Sequence, residues 1–178
     1  FAPNFRINNG VLIVEEKEDP PSSKSEKEIE KPDRNIRILA DFYSKHHLNG
    51  NRRNQSVSEE KRSKLFKEWM GKNKKVLDMG CRDGILTRHF IEQNKVTGLD
   101  IDKQALEACR KNLNIETKWA DFSLQIPIPS SSFDVVVAGE VIEHLPYPEI
   151  TIAEIKRILK PEGLFIGSVP NSYHIKNR

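Results

Sequence analysis

From Ser56 onward the chain carries two hydrophobic periods in turn. Leu65, Phe66, Trp69 and Met70 recur at helical spacing behind Ser56-Val57-Ser58-Glu59, which reads as a capping box, and Gly71 stops the run. Short apolar runs then alternate with amphipathic stretches. The runs predict strands at 75–79, 96–100, 116–120, 133–138 and 164–169. The amphipathic stretches predict helices over about 84–93, 103–112 and 148–159, the last closed by Lys160-Pro161-Glu162-Gly163. Val135-Val136-Val137 shows no polar alternation, as expected of a strand covered on both faces. This alternation predicts an α/β fold, a doubly wound and mostly parallel sheet with helices on both faces.

Before Ser56 the pattern differs. Residues 11–14 (VLIV) form a short β-like run after the turn signal Asn9-Gly10. Residues 15–34 are rich in Pro, Ser and mixed charge and nearly free of apolar side chains, too few to offset the entropy of ordering. The expected organisation is a β-like N-terminal remnant at 1–14, a flexible charged linker at 15–34 and the main domain at 35–178.

Composition narrows the class. With 37% hydrophobic and 31% charged residues among 178, the chain suits one sizeable soluble core. No apolar run approaches the roughly 20 residues that span a bilayer, and no signal-peptide pattern opens the chain. Cys81 and Cys109 fall in a turn and a helix, so reduced thiols and a cytoplasmic setting are expected. Residues 1–34 hold six basic against eight acidic side chains, while the whole chain is +3. The scattered excess in the remainder does not mark nucleic acid as a partner.

The chemistry concentrates in Val76-Leu77-Asp78-Met79-Gly80-Cys81-Arg82-Asp83-Gly84, a strand running into a glycine turn. The dinucleotide fingerprint fails there, because Arg82 and Ile85 occupy its second and third glycine positions. No Gly-Lys-Ser/Thr phosphate loop exists, and Asp78 and Asp83 make the turn too acidic for a polyphosphate. Those acids suit a ligand with positive charge beside an adenosine. In parallel sheets ligands bind beyond the carboxyl ends of the strands. Asp100 ends the second strand about 20 residues on, where a carboxylate accepts both ribose hydroxyls. Asp121 ends the third, placed to accept from an exocyclic amine, with Phe122 placed against a purine ring.

VLDMGCRDG, GLDID, ADF, FDVVVAGEVIEHL and LKPEGLFIGSVPN occur in that order over residues 60–171. Together they resemble the class I S-adenosylmethionine-dependent methyltransferases, nearest the small-molecule branch of ubiquinone-pathway O-methyltransferases. The resemblance implies a Rossmann-like methyltransferase fold whose last helix and two strands lie beyond Arg178. It implies S-adenosylmethionine as cofactor and a small-molecule acceptor. Gly80, Cys81 and Gly84 would line the methionine part, Asp100 the ribose, and Asp121 with Phe122 the adenine. Asp78 would lie near the amino group, and Arg82, Ile101, Ala120 and Glu140 complete the implied set. The usual turn has glycine at Arg82, so another backbone conformation or an outward-pointing side chain is expected there.

Glu140, Glu143 and His144 follow the fourth strand, on the acceptor side. In a helix, Glu140 and His144 at i and i+4 would converge with Glu143 between them. Two carboxylates and an imidazole suit a divalent cation, and the resemblance includes small-RNA 2′-O-methyltransferases that place a metal at such a motif. His144 is also suited to act as a general base. The leading expectation is methyl transfer to an oxygen or nitrogen of a small molecule. The alternatives are a degenerate cofactor-binding domain and a metal-dependent RNA 2′-O-methyltransferase.

Overall fold

The computed structural model describes residues 4–8, 11–15, 59–122 and 124–170. Strands β1 (Asn4–Asn8) and β2 (Val11–Glu15) precede helix α1 (Glu59–Met70). There follow β3 (Lys75–Met79), β4 (Lys95–Asp100), α2 (Lys103–Leu113) and β5 (Glu116–Trp119). The last elements are β6 (Phe133–Gly139), α3 (Pro148–Ile158) and β7 (Leu159–Ser168). The seven strands form one sheet in the order β1-β2-β7-β6-β3-β4-β5. Strands β3 to β7 are mutually parallel, and β2 adds antiparallel to β7 with Val11 opposite Ser168. Winding proceeds from β3 outward through β4 and β5, then resumes on its other side with β6 and β7. The switch point therefore lies between β3 and β6, the place where this architecture holds ligands.

Each central strand is apolar on both faces because both are covered. Val76, Val135 and Val137 pack with Phe66 and Met70 of α1, whereas Leu77, Met79, Val136 and Ala138 pack with Ile155 and Ile158 of α3. The uninterrupted valine run is thereby divided between two cores. Asp78 shares a pleat face with Val76, the α1 side.

Two expectations are corrected. No α-helix spans 84–93; one 3-10 turn, Thr87–His89, takes its place. The Asn94 amide donates to the carbonyl of Phe90 at 3.2 Å, and Phe90 N–H reaches back three residues to Thr87 O at 3.1 Å, so helical propagation stops. The Lys160–Gly163 stretch does not stand outside the sheet. It forms an irregularity within β7, where pairing passes from Phe133 opposite Leu159 to Val135 opposite Leu164. Residues 11–15, within the stretch expected to be β-like, pair with β7 in the same sheet. The linker expected at 15–34 lies, apart from Glu15, outside the described residues.

Candidate functional site

Where β3 ends, the backbone turns through two glycines at positive φ, Gly80 at 76° and Gly84 at 86°. A Cβ on Gly80 would enter the envelope of Val141 Cγ2, and one on Gly84 would lie 2.5 Å from Leu113 Cδ1. Neither site has room for a side chain. Arg82 lies between them at φ 48°, so the arginine takes the left-handed conformation itself rather than a different one. Its amide is held there by a 2.9 Å hydrogen bond to Oδ2 of the buried Asp100. The amides of Gly80 and Cys81 both donate to Leu99 O, at 2.8 and 3.1 Å, closing the turn onto the end of β4.

Acids stand at the carboxyl ends of adjacent strands. Asp78 is 2% exposed, and Thr87 Oγ1 donates to its Oδ2 at 2.6 Å. Burial pushes its carboxyl up to about 7; the Asp100 charge adds to the rise, while the Thr87 bond and the Arg62 charge oppose it. Asp100 accepts from Asp102 N at Oδ1 (2.8 Å) as well as from Arg82 N at Oδ2. Asp102 caps α2 by accepting from the amides of Gln104 and Ala105. Ala120 N–H donates to Asp100 O at 3.1 Å, so the start of the Ala120-Asp121-Phe122 segment is tied to the same turn.

Two of the expected site residues carry side chains that belong to core clusters. The Phe122 ring is 8% exposed and belongs to the core on the α3 side, where Thr151 Oγ1 donates to the Phe122 carbonyl. The Cys81 side chain turns inward against Cys109 and Leu106, which leaves its backbone to the turn. The bond with Cys109, and then burial, raise the Cys81 thiol well above its ordinary range.

Beyond β6 the chain does not form the helix that would bring Glu140, Glu143 and His144 together. Glu140 has φ 59°, and only Ile142–His144 make a single 3-10 turn. The Glu140 carboxylate faces Arg62 at 3.1 Å, while His144 Nε2 stands 3.9 Å from Glu143 Oε1 with its side chain 61% exposed. Among the described residues no three His, Cys, Asp or Glu side chains form a metal-holding group. The donor set thus does not fit a divalent cation, and the metal reading falls with the helix that motivated it. Burial raises the Glu143 carboxyl.

Arg62 is a residue that sequence reasoning missed. It projects from α1 with a side chain only 12% exposed, pairs with Glu140 and reaches Ser168 Oγ at 3.5 Å. The signal was present: Arg62 is one turn before Phe66 and two before Met70, a cation on the buried face of the helix. An open depression of about 480 Å³ at Asn73, Lys74, Lys75, Lys95 and Asp134 lies at the opposite, amino ends of the strands and contains none of these residues.

Asp78, Asp100, Asp121 and Glu140 thus stand at or just beyond the carboxyl ends of β3, β4, β5 and β6, near the glycine turn at the switch point of a doubly wound sheet. Similarity narrows this further. The family model described as "Methyltransferase domain" matches residues 77–167, and the chain belongs to that family, the class I S-adenosylmethionine-dependent methyltransferases. The ubiquinone biosynthesis O-methyltransferase of Nitrosococcus oceani is 35% identical over 104 residues, covering 55% of this chain and 44% of that protein. The enzyme of the same name from Vibrio atlanticus is 34% identical over 143 residues, 75% of this chain and 56% of its own length. The chain thus spans about half the length of the curated relatives it matches. Among solved structures, the methyltransferase in complex with the Haloferax volcanii Trm112 methyltransferase activator superposes with a TM-score of 0.61 at 23% identity, over 75% of this chain and 60% of that one, a likeness of fold.

Proposed function

We propose that this domain binds S-adenosylmethionine and transfers a methyl group to an oxygen or nitrogen of a small-molecule acceptor by in-line displacement. The observation that carries the reading is the row of acids along the carboxyl ends of β3, β4, β5 and β6. The cofactor offers two cationic centres, two ribose hydroxyls and an exocyclic amine, all of which call for acceptors or negative charge. When bound it supplies an electrophilic methyl group on a positive sulfur. The Arg62 guanidinium, held beside Glu140, adds the single cation that the methionine carboxylate requires.

The chain's own residues bind, orient and exclude water. Asp100 accepts from the ribose with an orientation already set by two backbone amides. The left-handed turn at Gly80–Gly84 lets the backbone approach the ligand closely. His144, exposed on the rim after β6, is the proposed proton acceptor for the incoming oxygen or nitrogen. Alignment of the acceptor supplies the remaining rate enhancement.

Calorimetry with S-adenosylmethionine tests both assignments together. Asp100→Ala removes hydrogen bonds to a charged group and lowers affinity about 10- to 100-fold. His144→Ala leaves it within a few-fold. Unchanged affinity in Asp100→Ala takes that residue out of the ribose site, and an equal loss in His144→Ala moves the imidazole from the acceptor side to the cofactor.

A further inference from the structure

The end of β5 holds the turn after β4 by two hydrogen bonds, and one comes from a side chain. Ala120 N–H donates to the Asp100 carbonyl at 3.1 Å, and the Trp119 indole Nε1–H donates to the Ile101 carbonyl at 2.7 Å. Ile101 lies between Asp100 and Asp102. Its carbonyl belongs to the same peptide unit as the Asp102 amide, which aims Oδ1 of Asp100 at 2.8 Å. Moving that peptide would therefore rotate the Asp100 carboxylate. The indole is itself held from two sides. Its ring packs against the cluster of Cys81, Leu106 and Cys109, and Lys103 Nζ, in the first turn of α2, stands 5.3 Å from the ring centroid.

We propose that Trp119 is a positioning residue for the nucleoside end of the cofactor: its indole N–H fixes the Asp100–Asp102 turn in the orientation that presents Asp100 to the ribose hydroxyls. The inference rests on the S-adenosylmethionine reading and adds a residue to it. An aromatic ring without the N–H keeps the packing but leaves the peptide free to tilt, so the loss falls on ligand geometry rather than on the core.

The experiment compares the full chain with Trp119→Phe and Asp100→Ala, titrating each with S-adenosylmethionine and with 5′-methylthioadenosine. Trp119→Phe is expected to weaken both ligands by the same factor, about three- to tenfold, because the fault lies in the part they share. Its urea midpoint should stay near that of the wild type. A lowered midpoint with affinity unchanged, measured well below the unfolding temperature, assigns Trp119 to packing alone and overturns the inference. Absence of binding by the wild-type chain overturns the parent reading instead. Wild-type binding that Asp100→Ala weakens and Trp119→Phe does not overturns this inference only. The chain has two tryptophans, so Trp69→Phe leaves Trp119 as the sole emitter. Its emission should change as 5′-methylthioadenosine saturates, a readout that still decides if Trp119→Phe fails to fold. Emission unmoved at saturation overturns the proposal.

Discussion

Asp78 is buried on the α1 face of β3, bonded to Thr87, with its carboxyl raised from 3.8 to about 7. Between these values the folded chain keeps a proton that the unfolded chain has already released. Stability therefore falls as pH rises from about 4 to about 7, and the loss is complete above that range. At 1.36 kcal/mol per pH unit the total comes to about 4 kcal/mol. Asp78→Asn should match wild type near pH 4 and exceed it by a few kcal/mol near pH 8, read from urea midpoints across the range. An equal pH slope in both proteins would show that Asp78 is ionised in the fold. The free domain is thus destabilised by the carboxylate that a bound cation would favour. At this scale the sequence disclosed the acids well, because strand ends can be read from hydrophobic period and each acid stands at one. Arg62 was legible only as a cation on the buried face of α1, and Trp119 not at all, because what each touches lies far along the chain, at Glu140 and Ile101.

Among the elements, α3 does more than cover the sheet. Its Glu154 accepts from the Ile126 amide at 2.8 Å, and Arg157 donates to the carbonyls of Ile126 and Ile128 at 3.0 and 2.7 Å. Two bonds between Arg157 and Glu154 lock the pair, so the segment from Ile126 to Ser130 is stapled to the helix without secondary structure of its own. Partial exposure limits the ionic contribution. Arg157→Ala should cost about 1–2 kcal/mol and raise hydrogen exchange at the Ile126 amide while β4 amides keep their protection. Unchanged exchange at Ile126 would locate the staple elsewhere. Strands β3 to β6 and helices α2 and α3 agree with the hydrophobic pattern because burial and local propensity point the same way in each. The stretch after Gly84 misled, since its helical spacing competes with Thr87 and Asn94, whose side chains bond Asp78 and backbone carbonyls instead.

Over the whole molecule the switch point between β3 and β6 gathers the candidate site from four strand ends and α1. Parallel order was legible from strand–helix alternation, which allows little else. The pairing of β2 with β7 was not. Nothing local to VLIV names its partner, and register between distant strands is decided by packing that a single sequence does not display. Deleting residues 1–15 should leave the N–H and C=O groups of β7 unpaired along that edge, lowering the urea midpoint and promoting association detectable by light scattering. A truncated chain that stays monodisperse with the same midpoint would show the hairpin to be dispensable.

That pairing joins strands separated by more than 140 residues, so β2 leaves the ribosome well before β7. At roughly 5–20 residues per second, β2 waits about 7–30 seconds for β7 to be made. A two-stranded hairpin is marginal alone in water, so during that interval it is an exposed edge looking for a partner. The seam between β2 and β7 closes only once the later strand reaches the earlier one. Slow translation or a trapped nascent chain would therefore harm this domain through its β2–β7 seam before it touched the ligand site.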